Sequence, residues 1–581
     1  MATVGSPALL ATSSTSWRGH MAGWNRHSIW KMGIVILLLA VIFALIFAAY
    51  YAVMASSNVV THFSVDFKGK AVNFSFAKHF QSRMVLQQAP QRANIYGFSS
   101  DIGATIALEV ITSKKVYHYE TIVKQGAASK LGYWSVKLRP MKTNESVLIR
   151  AKAEGVSHIL EDVIFGDVWI CSGQSNMEFK VHEIIGAKEV IKESLNYPNV
   201  RFMAALQTGM HIPLSDLVDL EIQWSSPQDV GVSDFSAVCW LYGKAIHAVL
   251  GYPIGLVGSY LGGSPVAAWS SGEALAKCEV GTATWSRPDP EQLVSPPDSL
   301  RNTDNSVLWN AMVHPLLGMT ISGVIWYQGE QDSHEDTKKN NYNCSFPAMI
   351  DDWRLQFNKA SSGETNNIFP FGFVQLAPSM PPYDPGFPDI RWHQTADYGY
   401  VPNERLVNVF MATALDLPDF EAPRGPIHPR HKLEIGSRLA LSGLAVAYNK
   451  QEVFQGPFPV WARLGMNSSL VVDYGTQWRL HVRSSEGFEL MCTSGSKSTV
   501  TSWEPTVIIS NTSTQVTLQA AVCSEGQQIL GLRYAWTNSP CALKMCAVYS
   551  TINELPAPPF VSFIENVHGK PEFQFGKQTW N

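Results

Sequence analysis

Charged residues are scarce in this chain, because Asp, Glu, Lys and Arg make up only 16% of its 581 residues. An average soluble domain carries about 25% charged residues. Basic and acidic residues also nearly balance, at 44 and 48, for a formal net charge of -4. The chain therefore lacks the basic excess that attracts a phosphate backbone or an anionic lipid surface. These shortages exclude intrinsic disorder and a long coiled coil, and they argue against a nucleic-acid partner.

Acidic residues are absent from residues 1–31, which do contain basic residues. The next segment, residues 32–55, carries no charge at all and is long enough for one helix to span a bilayer. The positive-inside rule then keeps residues 1–31 in the cytoplasm and sends the remainder across the membrane. We expect residues 32–55 to form an uncleaved transmembrane signal anchor, with a long cleaved signal peptide as the alternative.

Features beyond residue 55 agree with a lumenal or extracellular body. N-x-S/T sequons, which accept N-linked glycans but also arise by chance, occur at Asn73, Asn144, Asn343, Asn467 and Asn511. All eight cysteines lie beyond residue 55 as well, and an even number suits an oxidising compartment. Cys541 and Cys546 are close enough in sequence for a local bridge. A Cys492–Cys523 bridge would close the same region, although the sequence alone leaves the pairing open.

Hydrophobic patterning divides the body into three parts. Residues 60–155 contain short runs of β-forming residues between Gly, Asn and Pro, which predicts a sandwich-like β module. Residues 160–448 alternate buried apolar strands with helical stretches, which is typical of a mostly parallel sheet flanked by helices. Short strands return in residues 449–566 and predict a second β module, whereas residues 567–581 read as a polar tail. The expected fold class is therefore α/β with a β module at each end.

Ser175 lies at the end of one predicted strand, in the segment DVWICSGQSNM. Ligands of parallel α/β sheets bind at the carboxyl ends of strands, and a serine on such a turn has backbone N–H groups nearby that can hold an oxyanion. A helix-capping serine is the alternative, and spacing alone does not choose between them. Met177 occupies the last glycine position of the G-x-S-x-G elbow, so that motif is absent. Cys171 is a rival nucleophile, but within an apolar strand we expect a core thiol or half-cystine.

Two other strand ends supply candidate oxyanion donors. The strand PIGLVGS runs into Gly262 and Gly263, whose backbone N–H groups can approach a ligand closely, although paired glycines also form ordinary turns. The strand ISGVIWYQGEQD ends at Gln328, whose side-chain amide is a candidate third donor.

The fourth predicted strand, VFMATALD, ends near Asp416 and is followed by a histidine that can take up and return a proton. His428 precedes the helical stretch HKLEIGSRLAL, and an imidazole titrates near neutrality. His428 and His431 could instead bind a metal together with Asp416 and Asp419, but the sequence has no third ligand at a typical spacing. We therefore expect no metal and no cofactor.

Two other functions remain open from the residues alone. Glu330 could act as a glycosidase carboxylate with Asp332 or Asp416 as its mate. The β modules could also belong to a noncatalytic glycan-binding surface protein.

Four blocks in this order, GQSNM, LGGSPVAAW, WYQGE and IHPRHK, resemble the SGNH-type carbohydrate acetylesterases and, among them, the sialate O-acetylesterase family. Further similarity in SRMVLQQAP, DIRWHQTADYGYVPN and LPAPPFVSF extends the resemblance over most of the chain. It implies an SGNH-hydrolase fold and removal of O-acetyl groups from sialic acids, chiefly at the glycerol side chain. It also implies a secreted or lysosomal glycoprotein.

The resemblance also implies roles for individual residues. Ser175 would attack the acetyl carbonyl and form an acetyl-serine intermediate, with His428 as general base and then acid. The oxyanion would be held by the N–H of Ser175, the N–H of Gly262 or Gly263, and the side chain of Gln328.

Two departures from the family pattern affect these roles. Many SGNH enzymes carry an aspartate three residues before the histidine, where this chain has Gly425. His428 would then be oriented by a backbone carbonyl, or by Asp416, Asp419 or Glu421. In addition, the family implies a cleavable signal, whereas residues 1–55 read as an anchor, which would make this a single-pass type II protein of the Golgi, lysosome or cell surface.

The substrate that the resemblance implies, a sialic acid, carries a carboxylate, and we expect an arginine to bind it through two hydrogen bonds. Arg391, Arg424 and Arg430 lie near the relevant strand ends, with Glu330 as another residue that could contact substrate.

Overall fold

The computed structural model describes residues 74–126, 131–142, 145–153, 155–281, 302–380, 386–465, 468–493, 501–523, 527–567 and 570–575. The expected leader and anchor, residues 1–55, lie outside these ranges, as do the sequons at Asn73, Asn144 and Asn467. Within the ranges that are described, no helix is both long enough and apolar enough to cross a membrane.

The N-terminal part consists of strands that pair antiparallel, except Val85–Gln87, which lies parallel to its partner. They are β1 (Phe74–Phe76), β2 (Val85–Gln87), β3 (Asn94–Ser99), β4 (Thr105–Ile111), β5 (Val116–Ile122), β6 (Lys124–Gln125), β7 (Gly132–Lys137), β8 (Val147–Ala153) and β9 (Val156–Gly173). One sheet has the order β1-β3-β7-β6, and β4 pairs with β5 and β8 in a second. Buried residues alternate with more exposed ones along β4, β7 and β8, as expected of strands that cover a core on one face.

Strand β9 connects this part to the central sheet without a break. Its first half pairs antiparallel with β8, and its second half lies parallel to two strands of the central sheet. Every residue from Val163 to Gly173 is buried, so the strand continues into the interior. The division expected between residues 155 and 160 therefore lies inside a single strand.

The central sheet is mostly parallel, as the alternating pattern predicted. Its further strands are β10 (Val200–Ala205), β11 (Leu220–Ser225), β12 (Ile254–Tyr260), β13 (Gly323–Tyr327), β14 (Phe371–Gln375) and β15 (Val409–Thr413). The order is β11-β10-β12-β9-β13-β14-β15, and only the edge strand β11 is antiparallel to its neighbour. Strands β10, β12, β13 and β14 are buried along their whole length, which is typical of parallel strands covered on both faces.

Helices connect these strands. They are α1 (Ser175–Glu178), α2 (Ala187–Ser194), α3 (Pro227–Val230), α4 (Ala237–Leu250), α5 (Gly272–Lys277), α6 (Asp336–Asn340), α7 (Tyr342–Ala360), α8 (Phe387–His393) and α9 (Lys432–Tyr448). The Ser236 hydroxyl caps α4 by accepting from the backbone N–H of Cys239. Helix α9 packs closely on α4, because Gly436 leaves room for Leu241.

The C-terminal part is β-rich, as predicted. Its strands are β16 (Trp461–Leu464), β17 (Ser469–Asp473), β18 (Leu480–Val482), β19 (Phe488–Thr493), β20 (Thr501–Thr506), β21 (Ile508–Asn511), β22 (Gln515–Gln519), β23 (Gln528–Tyr534), β24 (Val548–Ser550), β25 (Phe560–Val567) and β26 (Lys570–Gln574). Nine of them form one antiparallel sheet in the order β20-β19-β23-β25-β26-β16-β17-β22-β21. The expectation of a polar tail from residue 567 is wrong here, because β26 pairs with β25 and β16 and buries Phe573 completely.

All eight cysteines are paired. The disulfides are Cys171–Cys239, Cys278–Cys344, Cys492–Cys523 and Cys541–Cys546. The two bridges considered from spacing in the C-terminal part are both present. Cys171 is a half-cystine that links β9 to α4, so it is not available as a nucleophile. Four disulfides suit a protein body in the lysosomal lumen or outside the cell.

Candidate active site

Ser175 occupies a sharp turn at the carboxyl end of β9. Gly173 ends the strand with a φ of +133°, and a Cβ at this position would lie 2.2 Å from the carbonyl oxygen of Tyr327. A side chain cannot fit there, so glycine is required for the turn. Ser175 then begins α1, where the first backbone N–H groups of a helix have no partner within the helix. Its side chain is nearly buried, with 8% of the residue exposed.

His428 lies against the serine hydroxyl. Its Nε2 is 2.8 Å from Ser175 Oγ, and its Nδ1 is 2.7 Å from the backbone carbonyl oxygen of Arg424. A carbonyl can only accept a hydrogen bond, so Nδ1 must carry the proton. In the neutral imidazole, Nε2 is therefore the acceptor and faces the hydroxyl proton of Ser175.

The surroundings of His428 favour its neutral form. Burial is the largest cause that lowers the pKa of His428 from 6.5 to about 4; the nearby cations Lys432 and Arg424 contribute to the shift, while the Arg424 carbonyl and Glu183 oppose it. The imidazole therefore remains neutral, and able to accept a proton, under mildly acidic conditions.

The backbone of Gly262 adjoins Ser175, as predicted for an oxyanion donor. A Cβ at residue 262 would lie 3.4 Å from Ser175 Cβ. However, the N–H of Gly262 donates to Glu178 Oε2 at 2.9 Å, so a carboxylate already uses this donor. The neighbouring Gly263 adopts a φ of +67°, and Asn302 supports the turn by donating to the carbonyl of Gly262 at 2.7 Å.

Gln328 does not face the serine, in contrast to the expectation. It is completely buried, and its amide nitrogen donates to the backbone carbonyl of Ser264 and to Asp332 Oδ2. Its amide oxygen accepts from the hydroxyl of Tyr342. Because both amide protons are used, Gln328 has none left for an oxyanion.

Asp416 does not orient His428 either. Its carboxylate is fully buried, is bound by the Arg438 guanidinium at 2.6 and 3.0 Å, and accepts from the Tyr549 hydroxyl at 3.0 Å. Asp419, another candidate, forms two hydrogen bonds with the guanidinium of Arg430. The tentative assignment of Asp416 is therefore corrected, and the backbone carbonyl remains as the group that orients the histidine.

The carboxylates considered for a glycosidase are also buried. Glu330 and Asp332 each expose 2% of their surface. Burial raises the pKa of Glu330 to about 7 and that of Asp332 to about 6. A glycosidase needs two carboxyl groups that flank a bound sugar. This geometry does not support that alternative, nor a direct contact of Glu330 with substrate.

Among the three candidate arginines, Arg424 and Arg430 are partly exposed, whereas Arg391 is not. Arg391 is completely buried, and its guanidinium donates to the backbone carbonyls of Leu376, Ala377, Thr537 and Asn538. Arg391 therefore serves the protein interior, and its candidacy as a substrate ligand is corrected. The Arg430 guanidinium forms two hydrogen bonds with Asp419, at 2.7 and 2.8 Å, whereas the shortest carboxylate contact of Arg424 is 3.2 Å, to Glu183.

Several residues near Ser175 were not predicted. Asn176 donates to Glu330 and accepts from Lys432, and Lys432 is completely buried. Asn176 could have been noticed from its place beside Ser175 in GQSNM. Lys432 could not, because a lysine in the first turn of a helix usually reads as a solvated residue. Across the described ranges, no group of three or more His, Cys, Asp or Glu side chains is arranged to hold a metal ion.

A serine hydroxyl in contact with a histidine at the carboxyl edge of a parallel sheet is the arrangement of a serine hydrolase. Residues 165–440 match the family model described as carbohydrate esterase, sialic acid-specific acetylesterase. Residues 463–564 match the sialate O-acetylesterase C-terminal domain. The chain belongs to the sialate O-acetylesterase family and is thus a carboxylic ester hydrolase.

Similarity to individual proteins extends over most of the chain. The sialate O-acetylesterases of Pongo abelii and Homo sapiens are 41% and 40% identical over 513 residues, covering 86% of this chain and 94% of each relative. Among solved structures, a carbohydrate acetylesterase from Xanthomonas citri has a TM-score of 0.67 at 24% identity, covering 84% of this chain and 99% of that one. At this identity the structural similarity supports the fold alone.

Asp416→Asn separates a structural role of this carboxylate from an orienting one. We expect the free energy of unfolding to fall by about 3 to 5 kcal/mol, because the buried Arg438 charge loses its partner. The kcat of the folded protein should stay within about tenfold of the wild-type value, whereas loss of an orienting acid lowers kcat by about 10⁴-fold. Denaturant titration and acetate release measure the two quantities. A stable variant with the larger kcat loss would contradict this assignment.

Proposed function

We propose that this protein removes O-acetyl groups from sialic acids with Ser175 as nucleophile and His428 as general base. The observation that supports this most directly is the 2.8 Å contact between Ser175 Oγ and His428 Nε2, with the proton of the imidazole held on the opposite nitrogen. The relatives named above carry the same activity in their names.

In the first step, Ser175 Oγ attacks the acetyl carbonyl while His428 Nε2 takes up the hydroxyl proton. The resulting imidazolium keeps its hydrogen bond from Nδ1 to the Arg424 carbonyl. Collapse of the tetrahedral intermediate then breaks the ester bond, and Nε2 returns its proton to the leaving sugar hydroxyl. An acetyl-serine remains on the enzyme.

In the second step, water attacks the acetyl-serine while His428 Nε2 takes up its proton; the bond to Ser175 Oγ then breaks, Nε2 returns the proton to Oγ, and acetate leaves. The oxyanion of both steps would be held by the N–H groups of Ser175 and Gly262. Because Gly262 donates to Glu178 at 2.9 Å, the Glu178 carboxylate must release this hydrogen bond as the oxyanion develops. We expect no metal or cofactor in this sequence of steps.

Replacement of either member of the pair tests the mechanism. We expect Ser175→Ala and His428→Asn each to lower kcat for acetate release from an O-acetylated sialic acid by about 10⁴-fold or more, because the two residues act as a unit. The matched control is His431→Asn, which alters a histidine outside the contact with Ser175. We expect its kcat to stay within about threefold of the wild-type value.

Two results would contradict the mechanism. Acetate release that survives Ser175→Ala would exclude Ser175 as the nucleophile. If the wild-type protein bound sialoglycans without releasing acetate, the noncatalytic glycan-binding alternative would hold instead.

We propose Arg424 as the group that binds the sialate carboxylate. Its side chain is accessible, lies over the ring of Phe179 at 5.5 Å and contacts Glu183 at 3.2 Å and Glu178 at 4.0 Å. These two carboxylates keep the guanidinium near the site, and a sialate carboxylate would compete with them for its N–H groups. Because the Arg424 carbonyl also binds His428, one residue would link substrate binding to the catalytic histidine.

Arg424→Met should therefore discriminate between substrates. We expect KM for an O-acetylated sialic acid to rise about tenfold or more, because a hydrogen-bonded ion pair is lost. KM for the uncharged ester p-nitrophenyl acetate should not change. Arg430→Met is the control, because Arg430 is held by Asp419. Equal effects of Arg424→Met on both substrates would exclude a role in carboxylate recognition.

We also propose that residues 32–55 anchor the protein as a type II membrane protein with its catalytic body in the lumen or outside the cell. The uncharged segment and the four disulfides support this topology. Of the two sequons in the described ranges, Asn511 is exposed, whereas the Asn343 amide donates to Asp397 at 2.7 Å. Asn511 is thus the more accessible acceptor for a glycan.

The N-terminal residue of the mature protein tests the anchor. We expect the mature chain to begin upstream of residue 32, because the apolar segment is longer than the apolar h-region of a signal peptide, which has about 7 to 15 residues. Terminal peptide sequencing of protein from a eukaryotic secretory host measures this. A mature chain that begins after residue 55 would indicate a cleaved signal peptide.

A further inference from the structure

A buried charged network adjoins the Ser175–His428 pair, and the mechanism above does not use it. Lys432 is completely buried at the start of α9, and Glu330 exposes only 2% of its surface. Burying an ammonium and a carboxylate is costly unless both are paired and hydrogen-bonded. The connections that this pair makes are therefore informative.

The side chain of Asn176 lies between the two charges. Its Oδ1 accepts from Lys432 Nζ at 2.6 Å, and its Nδ2 donates to Glu330 Oε1 at 2.5 Å. Asn176 directly follows Ser175 in the chain. The buried network is therefore attached to the segment that carries the nucleophile.

The same network holds the backbone on both sides of His428. Asn176 Nδ2 donates to the carbonyl of Ile427 at 2.7 Å, and Lys432 Nζ donates to the carbonyl of Pro429 at 2.7 Å. His428 thus stands between two carbonyls that are bound by neighbouring members of one network. The nucleophile and the base, which are far apart in sequence, are joined through these hydrogen bonds.

His428 depends on its backbone for orientation. Its Nδ1 donates to the Arg424 carbonyl, and the aspartates Asp416 and Asp419 are occupied by Arg438 and Arg430. A small shift of residues 424–429 would move the imidazole away from Ser175. In an active site, displacements of about 1 Å can lower the rate about 10²-fold.

We propose that Lys432 and Asn176 are positioning residues that bind the two carbonyls flanking His428 and so hold its imidazole against Ser175. This inference rests on the proposed function of the same site. Phe179 and Tyr327 complete the surroundings of Lys432, with ring centroids 4.7 and 5.3 Å from Nζ. Burial lowers the pKa of Lys432 from 10.5 to about 7, so its side chain is a cation below neutral pH, where these aromatic faces favour it.

The charge of Lys432 also acts on the base. His428 is faced by the cations Lys432 and Arg424, which lower its pKa, and by the Glu183 carboxylate, which raises it. Removal of the Lys432 cation should therefore move the pKa of His428 upward from about 4. Since His428 must be neutral to act as base, the acid limb of the pH profile would move to higher pH.

Lys432→Met tests the proposal. We expect kcat for acetate release to fall about 10²-fold while KM stays within about threefold, because positioning of the base affects the transition state and not binding. The acid limb of kcat/KM should shift to higher pH. Lys432→Arg keeps the charge and the donors, and it should recover most of the lost kcat and the wild-type acid limb.

A second variant covers the risk that Lys432→Met leaves Glu330 as an unpaired buried charge. In the double variant Lys432→Met with Glu330→Gln, both charges are absent and the Gln side chain can still accept from Asn176. We expect the same loss of kcat and the same shift of the acid limb in this variant. The thermal midpoint of each variant, measured alongside, identifies samples that are not folded.

Two outcomes would overturn the proposal. One is a folded double variant with wild-type kcat and pH profile. The other is a lower kcat with an unchanged acid limb in the double variant, which would indicate a merely structural role. The Lys432 variants leave Ser175 and His428 unchanged, so the esterase mechanism is tested separately, by loss of activity in Ser175→Ala. An inactive wild-type protein would reject the proposed function itself.

Discussion

The hydrogen bond from His428 Nδ1 to the Arg424 carbonyl is the contact on which the chemistry proposed for this site depends. A carbonyl cannot donate, so this bond selects the tautomer whose Nε2 accepts from Ser175. In a serine triad an aspartate does the same and adds a negative charge that stabilises the imidazolium. Here the charges nearest the histidine are mostly positive, and burial and these cations hold the pKa of His428 near 4.

No carboxylate of the described residues orients this histidine, so its position depends on the backbone and on the buried polar network that binds it. Asn176 and Lys432 bind the backbone carbonyls on either side of His428, and Glu330 binds Asn176. A low pKa reduces the strength of the base but keeps it unprotonated in an acidified compartment. The four disulfides suit a protein body in the lysosomal lumen or outside the cell.

Much of the fold follows from local pattern. Mostly apolar runs mark β12, β13 and β14 because parallel strands are buried on both faces, and alternation marks β4, β7 and β8 because each covers a core with one face. The pattern does not reveal that β9, which pairs with the preceding strand β8, continues into the central sheet, since its partners there, β12 and β13, lie far away in sequence. For the same reason Phe573 looks like part of a polar tail until β26 pairs with β25 and β16.

The sequence by itself determined the α/β class, the family, and Ser175 and His428 as the candidate pair, because strand-end turns and motif blocks are local features. Only the tertiary structure decided which polar side chains face that pair. Gln328, Asp416 and Arg391 have suitable chemistry, but their hydrogen bonds go to Ser264 and Asp332, to Arg438, and to backbone carbonyls. The reason is physical: a buried polar group must be satisfied by the atoms around it, and those atoms come from distant parts of the chain.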